Sequence, residues 1–382
     1  MKRTVLITIF ILIFTTASFA GDWWENVKIK GDLRYRHEMI DEEGKDANHR
    51  QRIRARLAVE GKVNEEMKAV IQLATGSSDP VSTNQTLDDA FTTKNIGLDM
   101  AYFEYNPNKL NGLKITGGKF HNPFFKPGSS ELIWDSDWNP EGGTFNYHAE
   151  KDNIDFSIIG AGLWVDQDSK KEDVSLLGGQ GIVKFYLNEK KTSVALGGSY
   201  YLYNNLKGHK ALYEVDNAKG NSVDIVYDTT YYVTYGNDTA LGGIDEYHTY
   251  QNDYDLIEAF LEVSHKFENT PVTVMFDYVT NTAADSLENG WLAGIHIGKA
   301  KNPGSWDLRY IYREVEKDAV VGAFTDSDFR GGGTDANGHE FGGNYMVTKN
   351  AAFGVTYFAN TIGLDAEEEN FGRLQIDLQL KF

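Results

Sequence analysis

Apolar and charged residues alternate without interruption along three separated stretches of the chain. From Val27 to Glu38, Val27, Ile29, Gly31, Leu33 and Tyr35 share one parity, and Lys28, Lys30, Asp32, Arg34, Arg36 and Glu38 share the other. In the next stretch Ile53, Ala55, Leu57, Val59 and Val63 alternate with Arg50, Arg52, Arg54, Arg56, Glu60 and Lys62. The last stretch sets Leu374, Ile376, Leu378, Leu380 and Phe382 against Arg373, Gln375, Asp377, Gln379 and Lys381. A period of two belongs to a β-strand; a helix cannot segregate its faces this way.

Extended along the chain, the same reading predicts sixteen strands, near 27–38, 50–61, 66–75, 97–106, 113–121, 143–150, 153–164, 179–188, 191–203, 254–267, 271–281, 290–299, 305–316, 338–348, 350–361 and 371–382. Two regions resist it. Residues 97–106 are apolar on both parities, and Val223 to Tyr235 reads either as a hairpin inside a loop or as an extra barrel pair, which would make eighteen strands. Short turns rich in Asn, Gly, Pro and Lys alternate with mostly longer connections, of which 76–96, 122–142, 165–178, 204–253 and 317–337 are the longest. Short periplasmic turns and long extracellular loops are the outer-membrane pattern, and both chain termini then lie on the periplasmic side.

The fold class expected is therefore all-β: a transmembrane antiparallel up-and-down β-barrel. A soluble sandwich also alternates. Three features favour the membrane: the strands are long for a soluble sheet, they follow one another by hairpins, and aromatics cluster near strand ends. Those aromatics are Tyr35, Trp164, Tyr203, Tyr278, Trp291, Trp306 and Tyr312, where an aromatic girdle would lie.

Residues 1–20 read as a secretory signal: Lys2 and Arg3, an apolar run from Val5 to Phe14, then Ser18-Phe19-Ala20. Residues 21–382 form the barrel domain. The net charge is −19, and losing Lys2 and Arg3 takes it to about −21, which argues against nucleic acid as a partner. With no cysteine, the exported chain must be held by packing and hydrogen bonds. No later apolar run is long enough for a transmembrane helix. A closed sheet remains as the way to span a bilayer with every backbone group paired.

About eight strands leave a barrel filled with side chains, while sixteen leave an aqueous channel. Because the inward face is charged, it needs water, and a dry interior would be costly. The expected function is a water-filled pore for small polar solutes and ions. Arg50, Arg52, Arg54 and Arg56 form a ladder on one strand, with Arg34 and Arg36 beside it. Such a wall either pairs with Asp32, Glu38 and Glu60 or attracts anions and orients dipolar solutes. The 122–142 loop carries Phe124, Phe125, Trp134 and Trp138 together with Glu131, Asp135, Asp137 and Glu141. Aromatics of this kind want a wall to pack on, so the loop is expected to fold into the pore and set its carboxylates opposite the ladder. The long loop 204–253 is expected to be extracellular. Acidic loop runs such as Asp41-Glu42-Glu43 and Glu367-Glu368-Glu369 read as solvated surface, with room for divalent cations bridging lipopolysaccharide.

No cofactor, metal or nucleophile signature is present: there is no Cys, no His-x-x-x-His and no Gly-x-Ser-x-Gly. Gly331-Gly332-Gly333 lies in a loop and is not a phosphate cradle, and Asp326-Ser327-Asp328 is too weak for a calcium loop. The competing readings are a channel specific for an anion or a sugar, with residues 122–142 and 204–253 forming its site, and an outer-membrane enzyme or adhesin.

The chain resembles the putative porin family of Gram-negative outer membranes. The resemblance rests on Lys30-Gly31-Asp32-Leu33-Arg34-Tyr35-Arg36, on Arg50-Gln51-Arg52-Ile53-Arg54-Ala55-Arg56-Leu57, and on Leu73-Ala74-Thr75-Gly76 with Asp79-Pro80-Val81-Ser82-Thr83-Asn84-Gln85. Gly117-Gly118-Lys119-Phe120-His121-Asn122-Pro123-Phe124 and Trp134-Asp135-Ser136-Asp137-Trp138-Asn139-Pro140-Glu141-Gly142 extend it. These motifs cover the first third of the mature chain; the rest matches by architecture. The resemblance implies a passive channel, a homotrimer, and a loop narrowing the pore, with no catalytic residue and no fixed solute. It also implies that Phe382 is similar to the terminal aromatic read by the barrel insertion machinery.

Overall fold

Nineteen strands follow one another: β1 Val27–Glu42, β2 Asn48–Lys62, β3 Met67–Thr75, β4 Gln85–Thr86, β5 Ile96–Tyr105, β6 Leu113–Lys119, β7 Glu141–Lys151, β8 Ile154–Asp166, β9 Val174–Leu187, β10 Thr192–Asn204, β11 Val223–Tyr235, β12 Asp238–Tyr250, β13 Asp255–Phe267, β14 Thr270–Asn281, β15 Asn289–Gly298, β16 Trp306–Val315, β17 Ala336–Thr348, β18 Ala351–Ile362 and β19 Glu369–Lys381. This is a computed structural model, and it describes residues 23–167, 172–235 and 238–382. The leader assigned to residues 1–20 lies outside them.

Sixteen of these strands close an antiparallel barrel. The two-residue β4 only caps β2, and β11 pairs with β12 in a separate sheet. Since β10 pairs directly with β13, the 223–250 hairpin belongs to a loop and the count of eighteen is excluded. Strands β1 and β19 seal the barrel from Asp32 opposite Lys381 to Glu42 opposite Phe371. Beyond that register the Gly31 and Phe382 backbones exchange two hydrogen bonds of 3.0 Å. Gly31 is needed there, because a Cβ would sit 2.4 Å from the Phe382 ring. Closure leaves no unpaired edge, which the hydrocarbon layer demands.

The outward parity is a continuous apolar surface. Leu33, Leu57, Ile71, Phe145, Leu177, Phe276, Leu308, Phe341 and Leu378 are all exposed large hydrophobics. A soluble protein does not present such a belt to water, whereas a lipid-facing barrel requires it.

The puzzle of residues 97–106 resolves in the register. Gln72 pairs with Met100 but Leu73 pairs with Leu98, so Asp99 is an extra residue on β5. This bulge flips the parity. Before it Ile96 and Leu98 face outward, and after it Phe103 does.

The interior departs from expectation. A plugged interior is expected to be costly, yet one side of the lumen is filled by packed side chains. The inward residues of β10 and β13–β16 include Tyr201, Leu256, Met275, Val279, Leu292, Ile311 and Val315, all buried. Three segments pack on them in one apolar cluster: Phe124, Leu132, Ile133, Trp134 and Trp138; Leu206, Ala211 and Leu212; and Val320, Val321, Ala323 and Phe324. On these middle strands apolar residues share the inward parity with buried polar and charged ones, among them Ser199, Glu258, Asp277, Asn281 and Arg313. Each large apolar side chain buried this way gains roughly 1.5–3 kcal/mol. Tyr203, assigned to a girdle, instead points inward and meets Tyr254 edge-on at 6.4 Å.

A charged wall facing two inward loops

The ionic half of the lumen is built on β1, β2 and β19, where the parity of all three strands sends charge inward. Register sets the neighbours: Asp32 opposite Arg56, Arg34 opposite Arg54, Arg36 opposite Arg52 and Glu38 opposite Arg50. On the other flank Arg36 stands opposite Asp377. Arg34 and Arg36 therefore face like charges across β1 and β2, while Asp32 and Glu38 each pair with the arginine directly opposite and with a diagonal neighbour. Glu38 accepts from Arg50 at 2.5 Å and from Arg373 at 2.9 Å, and lies 3.7 Å from Arg52. Asp377 holds Arg36 through two hydrogen bonds of 2.7 and 2.8 Å. Asp32 pairs with Arg54 at 3.0 Å and with Arg56 at 2.7 Å. The bidentate Arg36–Asp377 pair is of the strong kind.

Two loops complete the wall's neutralisation. The loop between β6 and β7 places Asp137 3.5 Å from Arg54 and 3.3 Å from Arg56, with a 3.0 Å hydrogen bond from Thr83. Burial alone would raise the Asp137 pKa; Arg54, Arg56 and Arg34 outweigh it and hold the carboxyl below its usual range. The loop between β16 and β17 places Asp328 3.3 Å from Arg36 and 3.2 Å from Arg373. There too burial is outweighed, by Arg373 and Arg36, and the carboxyl lies far below its usual range. A third contact comes from Asn84, which accepts from Arg34 at 2.6 Å.

The 122–142 loop is seated by its aromatics. Trp134 stacks on Trp138 at 4.2 Å and meets Tyr201 edge-on at 5.1 Å. Phe124 meets Tyr201 at 4.9 Å, over Gly178, where a Cβ would come within 2.5 Å of the Phe124 ring. Of the four carboxylates read from this loop, Asp137 alone touches the ladder. Asp135 ties two loops together, accepting from the backbone N–H of Asp137 at 2.6 Å and of Ser327 at 2.8 Å. Glu131 accepts from the Ser136 N–H at 2.8 Å and lies 3.9 Å from Lys126. Glu141 is at the rim, paired with Lys119 at 3.0 Å. Glu131 and Asp135 converge with Asp326, which Arg313 holds at 3.0 Å. Burial and then repulsion from Asp326 push Glu131 up to about 7; burial and then Glu131 push Asp135 well above its ordinary value.

Two cavities run along the wall. The outer one, about 440 Å³, lies toward the long loops and is lined by Arg50, Arg52, Lys219, Asp328, Arg330 and Arg373 among others. The inner one, about 310 Å³, lies toward the short turns and is lined by Arg34, Arg36, Glu131, Arg309, Asp328 and Asp377 among others. Arg54 and Arg56 line neither, and both pair with Asp137.

Sequence reasoning passed over Asp328, Arg373 and Asp377. The parity of the last strand already placed Arg373 and Asp377 on the arginine face, and pairing of the first and last strands sets Asp377 against Arg36. Asp328 had no such signal: Asp326-Ser327-Asp328 was weighed only as a calcium loop.

Comparison with known proteins gives the following. The family model described as putative porin matches residues 40–382. Among curated proteins nothing matches. The barrel resembles OmpF of Salmonella typhi in complex with daunomycin, with a TM-score of 0.54 and 11% identity, over 93% of this chain and 97% of that one. It also resembles a high-pH structure of OprB from Pseudomonas putida, with a TM-score of 0.58 and 10% identity, over 94% of each chain. At such identity the likeness is one of fold.

Proposed function

The chain belongs to the putative porin family and is an outer-membrane porin channel, and from this premise we propose that small polar solutes and ions diffuse passively along its ionic wall. The observation that carries the reading is the pair of cavities strung along β1, β2 and β19, one toward each end of the barrel. In this reading Arg34, Arg36, Arg50 and Arg52 act on solutes directly, while Arg54 and Arg56 anchor the 122–142 loop through Asp137. The seated loop narrows the lumen, and a field between arginines and carboxylates orders water and favours polar over apolar solutes.

Liposome swelling with small sugars, together with single-channel recording, tests this. Swelling and ohmic current are expected, and neither appearing would refute a conducting pore. A solute-specific channel is the second reading, favoured by the apolar cluster that leaves only modest cavities beside the wall. A channel without catalytic activity, a homotrimer, contact with lipopolysaccharide through the acidic loops, and delivery by the insertion machinery through Phe382 all fit the family. Chemical cross-linking to three protomers is the expected sign of the trimer.

A further inference from the structure

Among the described residues Asp328 alone lines both cavities. Its carboxylate lies between Arg36, which lines the inner cavity, and Arg373, which lines the outer one. Each arginine also has a carboxylate on the wall: Arg36 has its two bonds to Asp377, and Arg373 lies 2.7 Å from Glu38, which it shares with Arg50 and Arg52. Asp328 is thus a second, loop-borne carboxylate for both guanidinium groups.

The outer cavity is cationic. Arg50, Arg52, Lys219, Arg330 and Arg373 face Glu42, Asp79 and Asp328 across it. The Nε atoms of Arg52 and Arg330 are buried without a hydrogen-bond partner. Donors left open beside a polar cavity are costly unless something from the solvent or a solute fills them.

The segment carrying Asp328 is also unusual. Arg330 is held at φ 51°, in the left-handed region that a side chain rarely adopts, and Gly331, Gly332 and Gly333 follow at φ 81°, 101° and 102°. Such backbone strain persists where a surrounding structure imposes it, and it concentrates at ligand clamps and switches. Asp326 accepts from the Asp328 N–H at 2.8 Å, so the strut is aimed as well as strained.

We propose that the Asp328 carboxylate is a tethered stand-in for a transported solute, and that the channel favours small organic or inorganic oxyanions, carrying a carboxylate or a phosphate, which cross by exchanging with Asp328 between Arg36 and Arg373. The inference rests on the channel reading and names its solute class. Exchange keeps both guanidinium groups paired with an oxyanion throughout. A neutral sugar or a cation offers no replacement for the two charge-assisted bonds it would break. A tethered competitor acts at a high effective concentration, so it weakens the apparent affinity of every anion that must displace it.

The test is planar-bilayer recording on the full-length protein, with potassium succinate and potassium phosphate as separate probes, and liposome swelling with glucose alongside. Wild-type anion current is expected to saturate with concentration. Asp328→Asn is expected to lower the half-saturating concentration several-fold and move the reversal potential toward anions, with glucose swelling unchanged. Asp328→Glu, which restores the carboxylate, is expected to keep the wild-type half-saturation. Saturation by succinate or by phosphate identifies the headgroup. Wild-type current linear in both anions, an unchanged half-saturation in Asp328→Asn, or an equal gain for glucose and succinate would each overturn the proposal. Absence of any wild-type conductance would instead overturn the channel reading beneath it.

Discussion

Replacing Trp134 by alanine should release the 122–142 loop while leaving the barrel closed. The side chain is 2% exposed and stacks on Trp138 at 4.2 Å and an interplanar angle of 13°, with Tyr201 edge-on at 5.1 Å and Phe124 at 6.1 Å. Removing a buried tryptophan costs about 3–5 kcal/mol, including its aromatic partners. At about 1.4 kcal/mol per tenfold, the undocked fraction of the loop should rise by roughly two to three and a half orders of magnitude. The strand ladders do not involve this ring, so the loss falls on the loop. The assay is chymotrypsin cleavage after Phe125 in reconstituted protein, read with single-channel conductance. In the seated loop Phe125 is half-buried and its backbone N–H is bonded to Gln180 at 2.7 Å. Faster cleavage and larger, noisier currents are expected. If cleavage and conductance stay at wild-type values while the whole barrel unfolds more easily, the ring supports the wall rather than the loop. Gly178→Leu gives an independent check: its side chain would occupy the space of the Phe124 ring, and the same release is expected without loss of Trp134.

Three further outcomes are expected. Because Glu131 titrates near 7, its protonated form is the one favoured in the seated loop. The stability it contributes is full below the ordinary carboxylate pKa and is lost as pH rises through about 7; cation permeability should rise over the same interval, and Glu131→Gln should flatten both profiles, which chymotryptic protection and reversal potential can follow. Asp137 has the opposite sign: its depressed pKa adds stability above the usual carboxylate pKa that is lost only as pH falls through the depressed value. Asp137→Asn should therefore loosen the loop at neutral pH and leave it less sensitive to acid, by the same cleavage assay. Replacing Arg52, Arg54 and Arg56 together with glutamine should move the reversal potential toward cations; Arg52→Gln alone should supply most of that shift, since it lines the outer cavity while Arg54 and Arg56 are paired with Asp32 and Asp137, and an equal share from each would contradict the cavity assignment.

The period-two pattern determined the sixteen strands, the lipid-facing belt and the positions of the ladder arginines. It could do so because a strand's facing is a local property, readable from neighbouring residues alone. Pairing of the first strand with the last was also legible, as closure requires it, and with it the contact of Arg36 and Asp377. Where the local rule is broken by a single extra residue, as at Asp99, the sequence showed only confusion and the register was needed. The sequence did not distinguish the half of the lumen that keeps cavities from the half that side chains fill. That division depends on loops separated by scores of residues meeting the inward faces of β10 and β13–β16, and only the tertiary structure brings Trp134, Tyr201 and Phe324 into one cluster. The same holds for the ladder's partners. Six arginines of β1 and β2 could be read from their parity, but Asp137 pairs with two of them and Asp328 with Arg36 because two folded loops deliver those carboxylates there. Charge is written residue by residue, whereas pairing and hydration are decided by what the fold places within a few ångströms.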